Sequence, residues 1–93
     1  MDSFEWNEDK NHENQARHGV SFEEAREAFD DPYCLIIEDE LHRKDEERWF
    51  CVGRINTGIV TVRYTDRGDR IRIFGAGFWH KMRKLYFEQK GAL

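Results

Sequence analysis

Ninety-three residues, 39% of them hydrophobic and 14% aromatic, suffice for one small domain with one core over residues 1–93, and a second is not expected. No run of about 18 apolar residues is present for a membrane span, and the acidic start MDSFEWNEDK lacks the basic and then apolar pattern of a secretory signal, so a cytoplasmic protein is expected. The formal net charge of −4 conceals a polarity: residues 1–47 carry 5 Lys and Arg against 16 Asp and Glu, and residues 48–93 carry 10 against 3. Such a division implies one positive face, suited to an anionic ligand or an acidic partner, unless the two halves merely neutralise each other within the fold.

After a short strand at FEW, Asn7 is placed to cap a helix whose first turn holds Glu8 and Asp9, and Gly19 ends it where a left-handed residue is tolerated. This helix is polar on most faces. Ser21 with Glu24 forms a capping box that opens a second helix, with Phe22, Ala25 and Phe29 as its buried stripe, and the DDP at 30–32 stops it. The period then changes from helical to strand-like. YCLIIE (33–38), RWFCVGRI (48–55), IVTVRYT (59–65) and RIRIF (70–74) read as strands, separated by a charged loop at 39–47 and by the turn residues NTG and DRGD. The last element, Phe78 to Lys90, reads as an amphipathic helix with Phe78, Met82, Leu85 and Gln89 on one line and Trp79, Met82 and Tyr86 on its neighbour. Cys34 and Cys51 lie in apolar runs without CxxC spacing and are expected to be reduced and buried.

If DRGD is a simple hairpin loop, Thr65 faces Arg70, Tyr64 faces Ile71 and Arg63 faces Arg72. Alternation then sends Val60, Val62, Tyr64, Ile71 and Ile73 to the core and leaves Arg63 beside Arg72 on the other face. Like charges directly opposite repel, so the pair is easier to understand with an anion between them. The alternatives are that both splay into solvent or pair with the acidic loop.

FEWNEDKNHENQARHGVSFEEAREAFDDP, the spacing of Asp39, His42, Glu47 and Arg48, then VGRINTG, VRYTDRGDRIRI and a closing basic helix together resemble the BrnT family of type II toxins over almost the whole chain. The resemblance implies an α+β, RelE-like fold: two N-terminal helices packed on a roughly four-stranded antiparallel sheet, plus a C-terminal helix. It also implies a growth-arresting ribonuclease restrained by a BrnA-like antitoxin with a ribbon-helix-helix part, DNA being met only through that partner. The chain departs from the pattern at FGAG, where Gly75 stands for a Ser, Gly77 for an Arg, and Met82 falls near a Glu. Arg83 and Tyr86 still match. A degraded site acting only by binding an antitoxin or RNA is therefore the alternative reading, and a plain interaction protein is another.

RNA cleavage without a metal needs a base for the 2′-OH, cations for the charge growing on phosphorus, and an acid for the leaving oxygen. Arg63, Arg72 and Arg83 are candidates for the charge, His80 for proton transfer, and Tyr86 for assistance, with Lys81 contacting RNA and Trp79 stacking a splayed base. Lys10 and Asn14 point from the first helix at one-turn spacing and match the family. Duller roles compete: core packing for Trp79, a helix-ending role for His18, an ion pair for His42. The histidines and cysteines fall at no metal-ligand spacing, and no phosphate-cradling glycine loop occurs, so neither metal nor cofactor is expected.

Overall fold

The computed structural model describes residues 3–41 and 46–91; His42 and its expected ion pair lie outside them. The elements run β1 (Ser3–Glu5), α1 (Glu8–His18), α2 (Phe22–Ala25), a 3-10 turn (Arg26–Asp30), β2 (Leu35–Glu38), β3 (Trp49–Ile55), β4 (Gly58–Asp66), β5 (Arg70–Gly77) and α3 (His80–Gly91). The fold is α+β, as expected, but its sheet has five strands in the order β1-β5-β4-β3-β2 and is mixed, not four-stranded and antiparallel. The extra member is β1, which runs parallel to β5 with Ser3 against Arg70, Phe4 against Ile71 and Glu5 against Arg72. Aromatic packing and charge hold so short a strand in place. Phe4 meets Phe29 at 5.3 Å between ring centroids, Trp6 meets Phe22 at 6.0 Å, and Glu5 accepts hydrogen bonds from Arg67, Arg70 and Arg72.

Both helix starts form as their residues dictate. The Asn7 side chain accepts from the Lys10 amide, and Ser21 and Glu24 close a reciprocal capping box through two hydrogen bonds of 3.1 Å. The expected second helix is corrected to a single α turn that tightens into the 3-10 turn, laying Ala28 directly on the sheet. At Gly53 a Cβ would stand 2.6 Å from the Ala28 carbonyl oxygen, so only glycine permits this approach. Asn11, 2% exposed, joins α1 to α2: its amide donates to Glu8 and Glu23 and its oxygen accepts from the Phe22 amide.

The β4–β5 hairpin corrects the expected register. Arg67 and Arg70 close the turn through a 2.9 Å bond, leaving Gly68 and Asp69 as its two-residue loop, with Gly68 at φ 88° where the first central position needs a positive value. Asp66 therefore faces Ile71, Thr65 faces Arg72, and Tyr64 faces Ile73; a bulge follows, after which Arg63 faces Gly75 and Val62 faces Ala76. Arg63 and Arg72 are not partners. The bulge spends one residue, Phe74, so that Ile73 and Ala76 both reach the same core although they stand an odd number of positions apart.

That core lies on one face of the sheet, where Val20, Phe22, Ala25 and Ala28 meet Cys51, Val60, Val62, Tyr64, Ile71, Ile73 and Ala76. A smaller cluster on the other face joins Tyr86 to Leu35, Val52 and Ile59, with Met82 and Ile37 against it. Of the stripes expected on the last helix, only Met82 and Tyr86 reach this core, while Phe78, Trp79 and Leu85 remain 42%, 38% and 37% exposed. Cys34 and Cys51 are free, the first half-buried and the second buried, and burial pushes the Cys51 thiol well above its ordinary range. No helix among the described residues is long and apolar enough to cross a membrane.

Candidate nucleic-acid interface

The outer edge of β5 is covered twice. β1 pairs with Arg70 to Arg72 only, and beyond that point α1 takes over: Asn14 accepts from the Ala76 amide at 3.1 Å and donates to the Val20 carbonyl at 2.9 Å. This pins α1 along the edge, with Lys10, Glu13, Asn14 and Arg17 sharing a helix face at spacings of three and four and His18 at its end. Across from it, the bulge turns Phe74 and Gly75 toward the same side as Arg63. Arg48, just before β3, lies over the Phe74 ring with its guanidinium carbon 4.3 Å from the centroid. After β5 the chain folds back so that the Trp79 indole covers Gly77, where a Cβ would stand 2.9 Å from the ring, and meets the His18 ring at 5.8 Å.

These groups line one cleft of about 330 Å3: Lys10, Glu13, Asn14, Arg17 and His18 from α1, then Arg48, Arg63, Phe74, Gly75, Ala76 and Trp79. Among the described residues, Lys10, Arg17, Arg48 and Arg63 have no carboxylate partner. The contrast with the hairpin is sharp. Arg67, Arg70 and Arg72 all converge on Glu5 at 3.0 to 3.3 Å, and Arg67 also reaches Glu46. The Arg70 hydrogen bond, with Arg72 adding to it against some desolvation, holds the Glu5 carboxyl below its usual range. One arginine set is thus neutralised within the fold, and the cleft set is left with its charge unspent.

A larger groove of about 800 Å3 is lined by β1, α2 and the 3-10 turn, but there Glu23, Glu24, Glu27 and Asp30 outnumber Arg26 around Phe4 and Phe29. Its sign repels a phosphate backbone. The smaller cleft is the one of the two that gathers cations, beside the Phe74 and Trp79 rings.

Four of the residues singled out from the sequence meet here: Lys10, Asn14, Arg63 and Trp79. Both ends of the Asn14 amide are already used in holding α1. Arg72 is bound to Glu5, Arg83 lies over Phe87 on exposed α3, and Tyr86 is buried with its hydroxyl donating to Asp31 at 2.6 Å. His80 and Lys81 are exposed on the first turn of α3 and do not line the cleft. Glu13, Arg17 and Phe74 were not singled out, and Arg48 entered only through its spacing with Asp39, His42 and Glu47 in the family resemblance. Helical spacing from Lys10 pointed to Glu13 and Arg17, whereas Phe74 depends on the bulge, which leaves no local mark in the sequence.

Among the described residues no group of three or more His, Cys, Asp or Glu is arranged to hold a metal ion. Residues 6–82 match the family described as ribonuclease toxin, BrnT, of type II toxin-antitoxin system, a match that runs through the divergent FGAG corner as far as Met82. No curated protein matches the chain.

Proposed function

The chain belongs to the BrnT family of type II toxin-antitoxin ribonuclease toxins, and on that premise we propose that it is an endoribonuclease that cuts RNA without a metal ion and arrests growth through the cleft beside α1. The observation that carries this reading is the convergence of Lys10, Arg17, Arg48 and Arg63, all without carboxylate partners among the described residues, on a space also walled by Phe74 and Trp79. Arginines hold the phosphate oxygens by paired donors and stabilise the charge that grows on phosphorus, and the 2′-OH of the RNA itself is the nucleophile. Splayed bases stack on the indole, which favours single-stranded substrate. We take the sheet with α1 at one edge to be a RelE-like organisation, and the cytoplasm to be where it acts.

An antitoxin partner comes with the family; we take it to be BrnA-like, with a ribbon-helix-helix part that alone meets DNA. A second reading, a binding module that no longer cuts, draws on Gly77. The resemblance puts an Arg there, and here the Trp79 ring occupies the space its side chain needs. Purified protein mixed with a short single-stranded RNA in the presence of a chelator separates the two. Cleavage supports the ribonuclease; salt-dependent binding that leaves the RNA intact supports the binding module.

A further inference from the structure

We infer that Glu13, midway along the cleft-facing side of α1, and His18, at its C-terminal end, are the base and the acid of the proposed cleavage. The inference rests on the proposed ribonuclease activity and names the groups that move its protons. Among the described residues, Glu13 is the one carboxylate lining the cleft, and although Lys10 and Arg17 flank it on its own helix it makes no ion pair or hydrogen bond. It is exposed and therefore available to a 2′-OH. Among the described residues, His18 is the one histidine lining the cleft; it is exposed, and its ring packs against the Trp79 indole. Five residues of helix separate their backbones by about 7.5 Å along the axis, and both side chains line the same cleft.

The step balances without a co-reactant. The Glu13 carboxylate takes the 2′-OH proton as the 2′-oxygen bonds to phosphorus. The bond from phosphorus to the 5′-oxygen breaks, and the His18 imidazolium gives its proton to that oxygen. Arg48, Arg63, Lys10 and Arg17 are the cations around the phosphorane. Solvent then removes the proton from Glu13 and restores the one on His18.

The test uses the full chain, a short single-stranded oligoribonucleotide, and the same oligonucleotide with sulfur in place of one bridging 5′-oxygen, because a thiolate leaves without a proton. Wild type should release the cyclic phosphate, seen by mass spectrometry. His18→Gln should lose on the order of 100-fold or more on the oxygen substrate and recover most of it on the sulfur substrate. Glu13→Gln should lose on both. Each variant should still bind an oligonucleotide carrying a 2′-deoxy residue at the cut. A merely structural role for His18 predicts equal losses on the two substrates, and that result overturns the assignment. So does cleavage that survives His18→Gln and is lost in His80→Gln, or a Glu13→Gln protein as fast as wild type. RNA left intact by the wild type instead overturns the ribonuclease reading along with this one.

Discussion

Arg63 and Arg72 leave neighbouring strands on the same face of the sheet, yet one ends in the cleft without a carboxylate partner and the other is held at 3.3 Å from Glu5. Their difference comes from register, since each guanidinium has the same chemistry and only its neighbours change. Arg63→Ala should weaken RNA binding and lower the salt slope of binding by about one unit, measured by fluorescence anisotropy between low and moderate salt. Its melting midpoint should hardly move, because Arg63 makes no hydrogen bond or ion pair among the described residues. An unchanged salt slope would remove Arg63 from the phosphate path. Arg72→Ala should act through β1, freeing part of the Glu5 network and speeding amide exchange at residues 3–5, a readout that Arg63→Ala should leave alone.

At the level of elements, the 3-10 turn after α2 is the joint on which the packing turns. Asp31, at its end, accepts from the amides of Tyr33 and Arg54 and from the Tyr86 hydroxyl, so a single carboxylate ties the turn to β3 and α3. Burial alone would raise its pKa, but the Tyr86 bond and the two amides outweigh it and hold the carboxyl below its usual value. A folded value below the unfolded one means that the stabilisation is fully present above about pH 4 and is lost as pH falls through the folded value. The melting midpoint should therefore drop more steeply on acidification in the wild type than in Asp31→Asn; parallel curves would discount this carboxylate. Gly53→Ala, which drives a methyl into the Ala28 carbonyl, should cost about 1–3 kcal/mol by denaturant titration. Phe22→Ala, at 0% exposure, should cost about 3–5 kcal/mol through the cavity it leaves. The helix starts and the succession of strands were legible because caps, turn residues and periodicity are local signals. Three features were not: β1 joins a strand 65 or more positions away, the bulge at Phe74 obeys the demand that Ile73 and Ala76 share a core, and Trp79 leaves the expected apolar stripe to cover Gly77.

Across the whole molecule, the charge division read from the sequence takes a different form in space. The acidic half supplies α1 and with it Lys10 and Arg17 as well as Glu13, while the basic half supplies Arg48 and Arg63, so the cleft is assembled from both. The carboxylates of the first half are distributed to hairpin neutralisation at Glu5, to capping at Glu24 and to the groove by α2. The basic, aromatic C-terminal stretch accordingly splits: Phe74 and Trp79 wall the cleft, and most of α3 lies elsewhere. What unites these observations is the claim that the cleft beside α1 cuts RNA. Its most direct test is to induce the wild-type chain and the Arg48→Ala, Arg63→Ala double variant at equal soluble levels without an antitoxin, and to follow growth and the integrity of total RNA. The wild type should stop growth and fragment RNA while the double variant does neither. A double variant that arrests growth and degrades RNA as fast as the wild type would contradict the assignment of this cleft.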